Sequence, residues 1–119
     1  MARVLLIEDE QLLRWSLVQC LEKAGHTVET ASSLAQAASR LSEGQPDVVI
    51  LDLALPDGHG LDFYEEHQTE FGKAVVLVMT AVGRAEDEAR ATRLGVAEFL
   101  TKPVTHQALV ELVEQRARA

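Results

Sequence analysis

Apolar runs alternate with amphipathic stretches along the whole chain, and that alternation predicts a parallel sheet assembled from βα pairs. Val4 to Ile7 reads as a buried first strand. Gln11 to Ala24 then sets Leu13, Leu17, Cys20, Leu21 and Ala24 on one face of a helix that Gly25 ends. His26 to Thr30 is a short second strand. Ser32 or Ser33 caps a second helix with Leu34, Ala37, Ala38 and Leu41 on one face, stopped by Gly44 and Pro46. Val48-Val49-Ile50-Leu51 is continuous and rich in β-branched residues, as a central strand covered on both faces should be, and it ends on Asp52. Pro56, Asp57, Gly58 and Gly60 punctuate a loop into a third helix near Leu61 to Phe71, and Ala74 to Met79 gives a fourth strand ending on Thr80. The fourth helix, about Arg84 to Leu94, has Ala85, Ala89 and Leu94 as its main apolar anchors, so it should be held more weakly than its neighbours. Val96 to Leu100 is the fifth strand. Thr101-Lys102-Pro103 follows, then a last helix with Leu109, Leu112, Val113 and Arg116 on one side, running towards Ala119.

Right-handed crossovers leave few arrangements of five such pairs. The predicted fold is α/β: a flavodoxin-like (βα)5 three-layer sandwich with parallel strand order 2-1-3-4-5, forming one domain over residues 1–119. In that order the ligand crevice lies at the carboxyl ends of the strands, where the first and third diverge, and Glu8, Asp9 and Asp52 should line it.

Composition removes several classes of function. A hydrophobic content of 47% with 25% charged residues is globular, and the net charge of −8 without any Lys/Arg run argues against direct nucleic-acid binding. No apolar stretch has the length of a membrane span. The N-terminal apolar run stops at Glu8-Asp9, unlike a secretory signal, so a cytoplasmic location is expected. Cys20 is the only cysteine, which excludes an intrachain disulfide and suits a small buried hydrophobe. His26, His59, His67 and His106 share no ligand spacing and read as solvated. Asp57, Asp62 and Glu86-Asp87-Glu88 read as loop or helix-face charges, and Trp15 as a partly buried helix aromatic.

The three carboxylates carry the chemistry. Brought together from two strand ends, they repel by about 4 kcal/mol per close pair at a protein-surface dielectric, so they need a cation. An all-oxygen set without His or Cys points to a hard divalent ion, and Mg²⁺ suits a site of one or two direct carboxylates completed by water and phosphate. A carboxylate beside such an ion can attack phosphorus, provided charge on the transferring oxygens is stabilised. Thr80 and Lys102, both at strand ends, are candidates for that task.

At these residues the chain resembles the receiver domains of bacterial two-component response regulators, over essentially its whole length. The acidic pair after the first strand corresponds to Glu8-Asp9, the phosphoacceptor to Asp52, the following proline and glycine to Pro56 and Gly60, the hydroxyl residue to Thr80, and the lysine-proline pair to Lys102-Pro103. The resemblance implies that Asp9, Asp52 and the backbone carbonyl of Ala54 bind Mg²⁺, with Glu8 acting through a metal-bound water. It implies a cis peptide between Lys102 and Pro103, and Thr80 and Lys102 gripping the phosphoryl oxygens. The switch pair falls on Thr80 and Phe99, where phenylalanine keeps the ring of the tyrosine found elsewhere but loses its hydroxyl. Ala54 and Val82, at the two positions that tune dephosphorylation in the family, offer no side chain to orient a water.

The implied partners are a sensor histidine kinase as donor and an effector domain or downstream protein as output, the chain being the N-terminal part of a longer regulator. A phosphorylation-dependent dimer through the fourth and fifth helices belongs to the same expectation. So does a phosphoacceptor switch that is not an enzyme beyond assisting its own phosphotransfer and dephosphorylation. Arg14-Trp15 resembles the NtrC-type branch, whose output is transcription. Two other readings stand beside this one. A pseudo-receiver would keep the pocket and act only as a protein-interaction module. A small Mg²⁺-dependent aspartyl phosphatase would need a second acid just after its nucleophile, where Leu53 and Ala54 provide none. A flavodoxin would need a hydroxyl- and Gly-rich phosphate loop after the first strand, and none follows it.

Overall fold

In a computed structural model, which describes residues 1–117, five parallel strands form one sheet in the order β2-β1-β3-β4-β5. The strands are β1 Arg3–Ile7, β2 Thr27–Ala31, β3 Val48–Asp52, β4 Val75–Thr80 and β5 Glu98–Thr101. The helices are α1 Gln11–Lys23, α2 Leu34–Glu43, α3 Gly60–Glu66, α4 Ala85–Leu94 and α5 His106–Ala117. A hairpin of Ala54–Leu55 against Gly58–His59 precedes α3, and a short helix, Gln68–Phe71, follows it. Arg118 and Ala119, at the end of the predicted domain, lie outside the described residues.

The strand pleat divides the core in two. Leu5, Ile7, Val49, Leu51, Val76 and Val78 face the layer of α2, α3 and α4, while Val4, Leu6, Val48, Ile50, Leu77 and Met79 face Leu17 and Leu21 of α1 and Leu109 and Val113 of α5. Every residue of β3 is buried, because both faces of the central strand are covered. Each wholly buried aliphatic there contributes roughly 1.5–3 kcal/mol. The flavodoxin-like order expected from the sequence is the one observed. Its register sets Ile7 opposite Leu51 and Asp52 opposite Met79, so Glu8, Asp52 and Thr80 emerge together at the carboxyl edge.

Several local expectations are corrected. The third helix does not run unbroken from Leu61 to Phe71. His67 leaves helical geometry at φ −117° and ψ 25°, its Nδ1 lies 2.9 Å from the Phe63 carbonyl, and its ring stacks on Phe63 at 4.2 Å. β5 begins at Glu98 rather than Val96, since the Val96 N–H still turns back to the Ala91 carbonyl.

In α4, Ala85 and Ala89 are exposed and Ala91 is the buried residue. Ala89 stands about 200° around the helix from Ala91, at 100° per residue. Leu94, one turn on, packs partly buried against the same core, and the rest of the inward stripe is polar: Arg90 reaches Asp62 at 2.7 Å and Glu65 at 2.8 Å, both on α3, and Asp87 lies 3.7 Å from His59. The weak apolar hold on this helix is as expected: of the expected anchors Leu94 packs against the core, and Ala91 takes the place of Ala85 and Ala89. The same helical arithmetic turns Trp15 away from the sheet, two residues before Leu17, and it is 64% exposed rather than partly buried. Ala24 is exposed, and Cys20 is half-buried.

His26 is buried, not solvated. Gly25 takes φ 98°, a conformation open to glycine, and the turn brings the His26 ring inside, where Nδ1 accepts the Ala2 N–H at 3.0 Å.

Candidate functional site

The site is built on three strand ends. β1 delivers Glu8 and Asp9, β3 delivers Asp52, and one carboxylate oxygen from each lies within 4.8 Å of the others. The turn after β5 brings Lys102, whose N–H donates to the Thr80 carbonyl at 2.7 Å. The Lys102 ammonium donates to Glu8 Oε1 at 2.7 Å and to Asp52 Oδ2 at 3.2 Å. The peptide between Lys102 and Pro103 is cis.

Glu8 has no exposed surface, and its second oxygen accepts the Glu10 N–H at 3.0 Å. Burial pushes its carboxyl above the usual carboxylate range despite the bond from Lys102. Burial also works against the Lys102 ammonium, but the Glu8 bond and the Asp52 charge outweigh it and hold its pKa above the ordinary lysine value. Asp52 is 4% exposed, and its Oδ1 accepts the Ala54 N–H at 3.2 Å. Asp9 differs from both: its carboxylate is exposed and has no hydrogen bond or ion pair among the described residues.

The loop after Asp52 is shaped by close approaches. Gly60 donates to the Leu53 carbonyl at 2.9 Å, and a Cβ at Gly60 would lie 2.4 Å from the Asp52 carbonyl oxygen, so only glycine fits there. Thr80 is 4% exposed. Among the described residues its hydroxyl makes only long contacts, 3.3 Å to the Val82 carbonyl and 3.4 Å from the Val82 N–H, so it is free to exchange partners at little cost. A cleft of about 610 Å³ opens beside it, lined among others by Ala54, His59, Thr80, Val82, Arg84 and Asp87. Phe99 is half-buried, opposite Val78 on β4 and packed against the core on the α2–α3 side.

The structure thus gathers Glu8, Asp9, Asp52 and Lys102 and sets Ala54 and Thr80 at the rim, with Phe99 one strand away. Three supporting contacts escaped the sequence reading. The Arg14 Nη1 donates to the Glu8 carbonyl at 2.9 Å and to the Asp9 carbonyl at 3.2 Å. Glu10 caps α1 by accepting the Leu13 N–H at 2.8 Å. Asp57 accepts the N–H groups of Leu34 at 2.8 Å and Ala35 at 3.0 Å, which hold its carboxyl below the usual range and tie the loop after Asp52 to the start of α2. Only the Glu10 cap had a local signal, since it precedes the helix by one residue. The other two depend on how the chain turns.

These donors fit a hard divalent cation. All are oxygens, three carboxylates stand against one ammonium, and the Asp9 carboxylate has no competing partner. A doubly wound α/β protein with an acidic cluster and a lysine at the carboxyl edge of its central strands is the class that fold and site together define. The profile of the response regulator receiver domain matches residues 4–114, and the chain belongs to that family.

Among curated relatives it is 37% identical over 103 residues to the virulence transcriptional regulatory protein PhoP of Salmonella typhimurium, covering 87% of this chain and 46% of that protein. It is 36% identical over 101 residues to the transcriptional regulatory protein PhoP of Escherichia coli K12, covering 85% and 45%. The chain therefore spans less than half the length of these relatives. The Vibrio cholerae chemotaxis protein CheY4 superposes with a TM-score of 0.88 at 26% identity, over 97% of this chain and 98% of that one. A CheY-like receiver domain protein from Methanospirillum hungatei superposes at 0.92 over 99% and 94%; at 23% identity it speaks for the fold alone. Receiver domains bind Mg²⁺ at an acidic pocket and act as phosphoacceptor switches, generally not as enzymes in the ordinary sense. No helix among the described residues is long and apolar enough to cross a membrane.

Proposed function

We propose that the chain is a phosphorylation switch in which Asp52 takes a phosphoryl group from a sensor histidine kinase. One observation carries this reading: the Lys102 ammonium lies 3.2 Å from Asp52 Oδ2 inside a cluster of three acids, so a reacting carboxylate, a cation to meet the transferred oxygens and a metal-binding oxygen set share one edge. Asp9, Asp52 and the Ala54 carbonyl would hold Mg²⁺, with Glu8 acting through a water. When bound, the ion neutralises charge on the phosphoryl oxygens during transfer. An Asp52 carboxylate oxygen attacks phosphorus, and the bond from phosphorus to the donor's histidine nitrogen breaks. Lys102 exchanges its contact with the Asp52 oxygen for one with a phosphoryl oxygen. The Thr80 hydroxyl leaves Val82 for another.

Movement of Thr80 opens space towards which Phe99 turns, and the face made by α4, β5 and α5 changes. Its mobile part is α4, which fully buries one alanine, packs Leu94 partly against the core and is otherwise held by exposed ion pairs. The output is an effector domain or downstream protein; the span of the PhoP relatives beyond the matched region and their description as transcriptional regulators favour transcription control by the remainder of a longer regulator. A phosphorylation-dependent dimer through the same face, a cytoplasmic location and the absence of direct DNA contact by this domain go with the reading. Arg14-Trp15 keeps the NtrC-type branch as the proposed origin.

Intact mass after incubation with acetyl phosphate tests the acceptor. The reading expects a Mg²⁺-dependent phosphoryl adduct that Asp52→Asn lacks. An adduct retained by Asp52→Asn would move the acceptor elsewhere, and no adduct from any donor would favour a module that only binds protein.

A further inference from the structure

We infer that Arg14 is a positioning residue for the acidic pair, setting Asp9 in place for the cation by gripping the backbone on which it stands; this rests on the metal-binding reading above. The three acids are held in unequal ways. Glu8 is fixed by Lys102 at 2.7 Å and by the Glu10 N–H at 3.0 Å, and Asp52 by Lys102 at 3.2 Å and the Ala54 N–H at 3.2 Å. The Asp9 carboxylate has no partner of its own among the described residues, and its residue lies past the last paired position of β1, Ile7. The Glu8 N–H before it bonds the Ala31 carbonyl at 2.9 Å, but Asp9 itself is held, among the described residues, by the bond from Arg14 to its carbonyl at 3.2 Å, made by the same Nη1 that donates to the Glu8 carbonyl at 2.9 Å.

One nitrogen therefore staples the two successive peptides that carry the pair. Its own anchor is the first turn of α1, where the Arg14 N–H bonds the Glu10 carbonyl at 2.9 Å. An ammonium or guanidinium beside a cation site has a second effect of opposite sign: its charge repels the incoming ion. The two effects predict opposite orders of affinity, which makes the role separable from electrostatics. Supporting contacts of this kind typically change metal affinity by 10–100-fold. A backbone-directed one belongs at the low end, about tenfold.

The experiment is calorimetric titration of the 119-residue chain with MgCl₂, comparing wild type, Arg14→Lys and Arg14→Met, with thermal melts in chelator to show that each variant is folded. Arg14→Met keeps the stem and removes both donor and charge, while Arg14→Lys keeps the charge and offers a shorter donor. Positioning expects wild type to bind tightest, Arg14→Lys next, and Arg14→Met about tenfold weaker than wild type, the order surviving added KCl. Equal or tighter binding by Arg14→Met would overturn the inference and leave Arg14 a repelling charge. If Arg14→Met fails to fold, Arg14→Lys decides alone: affinity equal to wild type would then overturn it, and a severalfold loss would support it. Wild type that binds no Mg²⁺ would sink the metal reading itself, whereas wild type that binds with variants that match it would sink only the role of Arg14.

Discussion

Removing the positive charge between Glu8 and Asp52 should destabilise the metal-free protein by an amount that acid reverses. Lys102→Met retains most of the stem but leaves Glu8, which has no exposed surface, without its 2.7 Å partner and facing the Asp52 charge. Breaking one side of a buried pair costs about 3–5 kcal/mol. Proton uptake by Glu8 limits that cost. From its ordinary value of 4.5, taking a proton at pH 7 requires about 3.4 kcal/mol at 1.36 per pH unit, so the variant should lose about 3 kcal/mol at pH 7.

At pH 5.5 the same limit falls to about 1.4 kcal/mol. With the folded Glu8 pKa raised, the native state binds more protons than the unfolded state between pH 4.5 and the raised value, so the variant gains stability as pH falls through that window. Wild type changes in the same direction but less, because Lys102 already opposes the rise. Thermal melts in chelator should show the variant roughly 10 °C below wild type at pH 7, with the gap narrowing by more than half at pH 5.5. A gap under about 2 °C at pH 7, or one that widens on acidification, would refute the claim that Lys102 neutralises a buried Glu8.

Two other perturbations follow from the loop after Asp52. Gly60→Ala places a Cβ 2.4 Å from the Asp52 carbonyl, against backbone that cannot give way cheaply, so urea unfolding should show a loss of about 2 kcal/mol and the phosphoryl adduct should form more slowly; unchanged stability would mean the approach relaxes freely. Asp57→Ala leaves the Ser33 cap but removes the acceptor of the Leu34 and Ala35 N–H groups at the start of α2, and should lower the urea midpoint at pH 7, with Asp57→Asn between the two. Because the folded Asp57 pKa lies below its ordinary 3.8, its contribution is complete above that value and is lost as pH falls below it, so the gap between wild type and Asp57→Ala should stay level from pH 7 to pH 5 and close in stronger acid. A gap that closes already at pH 6 would assign the effect to another group.

The alternation of apolar runs by itself narrowed the strand order to a few arrangements, because a strand such as Val48–Asp52 that must be covered on both faces is central, and parallel right-handed connections prune the rest. The same logic brought Glu8, Asp9, Asp52, Thr80 and Lys102 to one edge, since each lies within two residues of the end of an apolar run and every parallel strand ends on the same side. What the sequence could not reach were contacts between segments far apart in the chain or dependent on a turn's direction. Asp57 looks like any loop charge until the loop folds over α2, 22 residues away from Ala35. His26 becomes a buried acceptor only once Gly25 turns the chain beneath Ala2, and Arg14 reaches the backbone of the acidic pair only after α1 has set its angle to β1. The burial of Ala91 rather than Ala89 was likewise a matter of helical phase, which two small residues in a polar helix leave open. Apolar periodicity is written locally, in steps of two or about 3.6 residues, whereas the partner of a polar group is fixed by where the finished backbone leaves its donors and acceptors.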